Sequence, residues 1–123
     1  GATRSGKWQL QYRHIPIIRL AELYLIRAEA NFRLGTTVGA TPLDDVNRLR
    51  PRTGLPNYLV ITLNDILLER RLELAHEGHR IHDIKRLQGT ADGFAYNSDR
   101  LVFPIPQRDI DASGGVLVQN PGY

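Results

Sequence analysis

Glu69, Glu73 and Glu77 stand four residues apart, with Asp65 one step earlier, so on a helix they form a single row. Paired carboxylates are the apparatus of glycoside hydrolysis, in which one acid needs a raised pKa. Here Arg70, Arg71 and Arg80 stand beside the row, and a neighbouring guanidinium lowers a carboxylate's pKa. The pattern therefore predicts ion pairs that shape packing and perform no catalysis. His76, His79 and His82 recur every third residue, near Glu73 and Asp83, a set whose donor types suit a metal ion. Gly78 interrupts the helical pattern between them, so the spacing does not gather them on one face. The reading favours packed or surface histidines, with neither metal nor cofactor. Asp109 and Asp111 flank Ile110 and read as turn caps in preference to calcium ligands. Trp8, Tyr12, Tyr58, Phe94 and Tyr96 have the ring type that stacks on sugars, and each serves equally well as a core or rim residue. With no cysteine, thiolate metal sites, disulfides and a cysteine nucleophile are excluded. No phosphate loop, dinucleotide fingerprint or serine–histidine–acid order is present.

The elements that must position these groups follow from periodicity. Thr62 with Asp65 three residues on has capping-box spacing, and Gly78 can close a helix, which predicts a main helix over Leu63–Glu77. A second, short helix is expected from about His79 to Leu87. Upstream, a helical pattern runs from Ile17 to Leu34, with Ala21, Leu25, Ala28 and Phe32 on one face and Leu20, Leu23, Ile26, Ala30 and Leu34 broadening it. Gly35 ends it. Glu22 and Glu29 lie among apolar neighbours, with Arg19 and Arg33 as candidate partners. Thr41 and Pro42 open another short helix, with Asp44 and Asp45 at its positive end and an end or kink near Leu49 imposed by Pro51. Residues 89–99 read as a turn-rich loop, and Leu101-Val102-Phe103 as a short strand or extended plug. The remainder has too many turn formers for regular structure. Its apolar residues, Phe103, Ile105, Ile110, Val116, Leu117 and Tyr123, are spaced as anchors on helices.

The 123 residues are enough for one domain with one core. A net charge of +3 with interleaved signs gives no basic stripe of the kind nucleic acid requires. Arg48-Leu49-Arg50-Pro51-Arg52 comes nearest, and reads as a solvated or carboxylate-paired face. No signal peptide or apolar run of membrane-spanning length is present. A chain that opens Gly1-Ala2-Thr3 without Met is expected to be processed or part of something longer. The expected class is all-α: helical hairpins of tetratricopeptide type over 17–88, after an extended lead-in over 1–16 and before an irregular coil tail over 89–123. The second pair begins about 44 residues after the first, against about 34 in a regular repeat.

Four stretches together resemble the SusD/RagB family. They are Ile15-Pro16-Ile17-Ile18-Arg19-Leu20-Ala21-Glu22-Leu23-Tyr24-Leu25-Ile26-Arg27-Ala28-Glu29-Ala30, then Glu69-Arg70-Arg71 through Glu73-Leu74 and Glu77-Gly78-His79-Arg80 to Asp83, then Phe103-Pro104-Ile105-Pro106-Gln107, and Gln119-Asn120-Pro121-Gly122-Tyr123. The resemblance covers about residues 15–123 and departs from the pattern at His76 and His82, where the family usually has aromatics, and at Pro51. It implies the C-terminal part of an outer-membrane lipoprotein of Bacteroidetes, facing outside the cell. Such a protein binds glycans or other nutrients and acts with a TonB-dependent, SusC-like transporter. It also implies that the lipid-bearing cysteine and most ligand contacts lie outside this chain. The expected role is scaffolding, with Arg19, Glu22, Glu29, Glu69, Arg70, Arg71, Glu73, Glu77, Arg80 and Asp83 as a structural ion-pair network. Arg80 is expected to pair with a buried carboxylate, so that its loss would be severe. A stand-alone tetratricopeptide-like protein-interaction module, and a metal-dependent enzyme, are the other readings.

Overall fold

The computed structural model describes residues 6–7 and 17–123. Trp8, Tyr12 and the expected lead-in lie outside them, apart from residues 6 and 7. Where the sequence suggests one domain, the chain packs as two compact units, Gly1–Glu77 and Gly78–Tyr123.

In the first unit, α1 spans Leu20–Leu34, beginning three residues later than the pattern suggested. Arg19 is extended, and its carbonyl accepts the N–H groups of Glu22 and Leu23. Gly35 closes the helix in the left-handed region (φ 65°), as the sequence required. α2 spans Pro42–Asn47, capped by the Thr41 hydroxyl, which accepts the Asp44 N–H at 3.1 Å. A 3-10 turn over Arg50–Thr53 absorbs Pro51. α3 spans Leu63–Glu73 behind a complete Thr62–Asp65 capping box. The expectation of helix up to Glu77 is corrected here: Leu74–Gly78 forms turns, with His76 at φ 64° and Gly78 at φ 80°. Leu74 and Ala75 favour helix by propensity, but this preference of a few tenths of a kcal/mol yields readily to tertiary contacts.

α1 packs on both α2 and α3. The core is Ala21, Leu25, Ala28, Val46, Leu49 and Ile66, with Tyr24, Tyr58 and Ile61 against it. Phe32, assigned to that face by sequence, is exposed. α1 is polarised in an unusual sense. Its charged residues Glu22, Arg27, Glu29 and Arg33 are all engaged in ion pairs, while Leu20 (63%), Leu23 (50%), Ile26 (48%) and Leu34 (74%) are exposed along one side.

In the second unit, α4 spans His79–Arg86. The presumed loop after it contains an antiparallel hairpin, β1 Thr90–Ala91 and β2 Phe94–Ala95, in register Thr90↔Ala95 and Ala91↔Phe94. Asp92 (φ 48°) and Gly93 (φ 83°) form the turn, the left-handed pair that two-residue hairpins favour. A 3-10 turn covers Asp99–Leu101, and Val102 is extended without joining a strand ladder. α5, Gln107–Ala112, corrects the expectation of an irregular tail. Pro106 presets its entry, Asp109 lies in the first turn, and Gln107 Nε2 donates to Asp111 Oδ1 one turn on. Asp109 and Asp111 are thus helical.

The tail is held by polar groups and not by the predicted apolar anchors. Phe103, Val116, Leu117 and Tyr123 are exposed; Ile105 and Ile110 are half-buried. Gln119 Oε1 accepts the Ile105 N–H at 2.8 Å, and Gln119 Nε2 donates to the Ile105 carbonyl at 2.9 Å. Asn120 Nδ2 donates to the Phe103 carbonyl, and the Tyr123 hydroxyl to the Val102 carbonyl, both at 2.7 Å. A side chain at Gly122 (φ 92°) would press on Asp99 Cβ at 3.1 Å.

Candidate functional site

The densest charged cluster sits where α3 ends early. The turn after Glu73 folds Glu77 back, and both carboxylates converge on Arg19. Arg19 NH1 donates to Glu73 Oε1 (2.9 Å), Nε to Glu77 Oε2 (2.9 Å), and NH2 to Glu77 Oε1 (2.8 Å) and the Glu73 carbonyl (3.0 Å). Lys7 Nζ donates to Glu77 Oε1 (2.5 Å) and to the carbonyls of Glu73 (2.7 Å) and Ala75 (2.9 Å). Arg52 reaches Glu73 at 3.0 Å. Cations at a helix C-terminus also meet the negative end of its dipole. Burial pushes the Glu77 carboxyl up, but the hydrogen bonds from Arg19 and Lys7 outweigh it and hold the pKa below the ordinary glutamate range. The Glu77 hydrogen bond leads among the causes that raise Arg19 further. A carboxylate held ionised in this way is placed opposite to a general acid, which needs an upward shift.

A second cluster centres on Arg50. Its Nε donates to the Pro56 carbonyl at 2.7 Å, and its NH1 to Glu69 Oε2 at 2.8 Å. Its guanidinium lies 3.9 Å from the Tyr58 ring centroid, so one face of that candidate sugar platform is already covered. Asn47 fixes Tyr58 in turn, accepting its N–H and donating to its carbonyl. In a third cluster Arg27 grips the buried Asp45 with two bonds of 2.6 and 2.9 Å. Gly39 makes room for it: a Cβ there would lie 2.5 Å from Arg27 NH1. The buried Asn31 amide organises the loop after α1, donating to the Val38 and Ala40 carbonyls and accepting from Thr36 and the Val38 N–H. Arg27, Asp45, Arg50 and Asn31 were not singled out as network members. Their partners are 5 to 19 positions away in sequence, outside the three- and four-residue spacings of a helix face.

The predicted network members take different places. Arg19, Glu73 and Glu77 meet at the corner. Glu69 meets Arg50, Glu29 meets Arg33, and Arg70 NH2 lies 3.8 Å from Glu22. Asp83 pairs with Arg86 within α4. Arg71 and Arg80 are exposed, so the expected pairing of Arg80 with a buried carboxylate is corrected: Arg86 takes the place beside Asp83. His76 and His82 are exposed and His79 is half-buried. Among the described residues no three His, Asp or Glu side chains are placed to hold a metal ion. Phe94 is exposed with Arg100 over its ring, and Tyr96 is half-buried. Tyr24, overlooked in the sequence, lies beneath both Arg27 and Arg48, whose NH1 donates to its hydroxyl.

This helical framework and its motifs have counterparts. The sequence model of the SusD family matches residues 2–101. The chain belongs to the SusD family. Among SusD relatives, the starch-binding protein SusD of Bacteroides thetaiotaomicron is 32% identical over 127 residues, covering 89% of this chain and 21% of that protein. SusD-like protein P2 of Formosa agariphila is 32% identical over 133 residues, covering 89% of this chain and 26% of that protein. Among solved structures, surface glycan-binding protein A of Bacteroides uniformis superposes with a TM-score of 0.66 at 28% identity, over 85% of this chain and 27% of that one. A SusD-like protein of Bacteroides fragilis gives 0.56 at 32% identity, over 87% and 25%. The chain thus spans about a fifth to a quarter of the length of the SusD relatives it matches.

Proposed function

We propose that this chain is a scaffold portion of a SusD-like glycan- or nutrient-binding protein. In this reading the protein is an outer-membrane lipoprotein of a Bacteroidetes species, faces the cell exterior and works with a TonB-dependent, SusC-like transporter. The ligand contacts and the lipid anchor lie mainly outside residues 1–123. The α1–α2 pair is a tetratricopeptide-like hairpin, and the ion pairs serve architecture. Family membership supports the binding role, and the names of the relatives point to glycans. The observation that carries the scaffold role is how fully the charged groups are occupied. The carboxylates of Glu69, Glu73 and Glu77 are each held by arginine, and the Tyr58 ring is covered by Arg50. Those three carboxylates and that ring face are taken up by contacts within the chain.

Affinity gel electrophoresis of the purified chain through starch and other polysaccharides tests this. The expected result is unretarded migration in every gel; strong retardation by any glycan would overturn the scaffold reading. Co-purification of a chain-containing protein of SusD length with a SusC-like transporter tests the partner. A second reading, a tetratricopeptide-like protein-interaction module, is favoured by the exposed apolar side of α1, and retention by a defined protein partner without glycan would support it.

A further inference from the structure

Granted the scaffold reading, we infer that the outward side of α1 is covered by a helical hairpin from the remainder of the same SusD-length polypeptide, which makes α1 an interior helix of a longer stack.

α1 is apolar on two opposite sides. Ala21, Leu25 and Ala28 enter the core, while Leu20, Leu23, Ile26, Ala30 and Leu34 form an exposed stripe at the three- and four-residue spacings of one helix face. A helix apolar on both sides is packed on both sides. The neighbouring helices differ. The exposed residues of α2 and its C-cap are Asp44 and Arg48, and those of α3 include Asn64 and Arg71 beside Leu68 and Leu72. The α1 stripe holds no charged or hydrogen-bonding side chain. The arginines that border it are already engaged, Arg27 with Asp45 and Arg33 with Glu29. Its occupant is therefore apolar. From Leu20 to Leu34 the stripe runs straight for about 21 Å, a length that suits the ridge of another helix. In stacked helical hairpins a terminal unit needs a polar outer face, which α1 lacks.

The size of the stripe separates one occupant from another. A helix face about 21 Å long and about 10 Å wide offers roughly 200 Å² in outline. A stable complex between separate proteins buries roughly 800 Å² per partner. A second copy held by this stripe alone falls well short. A segment of the same polypeptide does not face that requirement, because its tether supplies a high effective concentration. Such a segment has room to exist: the chain spans 21% and 26% of two SusD relatives, and 27% of one solved structure with the same fold.

The sequence contains no cysteine, so Leu23→Cys and Ile26→Cys each place a single thiol on the stripe. The test measures the rate of maleimide labelling at each position by peptide mass spectrometry, natively and in urea, with circular dichroism as the check on folding. It is run on the 123-residue chain and on the SusD-length protein that contains it. In the short chain both thiols should react within about tenfold of their rate in urea; in the long protein both should be slowed by about a hundredfold or more, the range of a site that must open locally to react. The two positions decide separately, so one variant that fails to fold leaves the other. Thiols as reactive in the long protein as in the short chain would overturn the inference. So would protection already present in the monomeric short chain, or protection there that rises with concentration, which would assign the stripe to a second copy. An immunoblot of the source cells separates this from the scaffold reading. A band of SusD length with reactive thiols sinks the covered stripe alone; a band of 13.9 kDa and no longer species sinks both.

Discussion

Arg50 offers the sharpest test of the idea that buried ion pairs hold the first unit together. Arg50→Ala removes a guanidinium whose side chain is 11% exposed and leaves Glu69, 7% exposed, facing a void. It also strips the Pro56 carbonyl of its donor and uncovers the Tyr58 ring. Removing one partner of a buried pair typically costs about 3–5 kcal/mol, chiefly because the surviving charge stays desolvated. Taking the lower end, and about 4–8 °C per kcal/mol for a unit of this size, the melting temperature should fall by about 12–24 °C. The double variant Arg50→Met/Glu69→Leu removes both charges and keeps apolar volume, so it should recover much of the loss. Calorimetry or urea unfolding followed by circular dichroism, on wild type, both single variants and the double, gives the coupling directly. If Arg50→Ala melts within about 2 °C of wild type, the pair is solvated in solution and the reasoning fails.

Gly39→Ala should destabilise by roughly 1–3 kcal/mol, since an alanine must adopt φ +77° and displace the Arg27 guanidinium; Gly39→Asn, which tolerates that backbone region better, should relieve only the backbone share in the same urea titration. Arg80→Ala should change stability by less than about 0.5 kcal/mol, because the side chain is exposed; a large loss would show a partner that the structure does not place there. For pH, Glu77 has a folded pKa below the ordinary value of 4.5, so its contribution is complete above that value and is lost as pH falls through the lower folded pKa. Thermal melts from pH 7 to pH 3 should therefore show an acid loss that is smaller in Glu77→Gln than in wild type.

Where one residue's local chemistry decides an element, the sequence was readable. Thr41 with Pro42, Thr62 with Asp65, and Gly35 each act within one turn, and the structure places each cap as expected. The Asp92-Gly93 hairpin carried an equally local signal, which the surrounding turn formers obscured. α5 was obscured in the same way, between Pro106 and Gly114-Gly115. The end of α3 was not readable at short range. Whether the chain continues as helix through Ala75 or turns toward Arg19 depends on a contact 54 to 58 positions away. The pairing of Glu69 with Arg50 across 19 positions is of the same kind. Acidic and basic residue types announced that pairs would form; the partners were set by how α1, α2 and α3 pack.

The carboxamide of Gln119 stands in for a missing neighbour. By bonding both the N–H and the C=O of Ile105, one side chain reproduces the pair of contacts that an adjoining strand's peptide groups would supply. Pro104 and Pro106 have no N–H to offer, while Asn120 and Tyr123 occupy the carbonyls of Phe103 and Val102. The extended stretch is thereby sealed against recruiting a foreign chain edge to edge, the usual hazard of such a segment with exposed valine and phenylalanine.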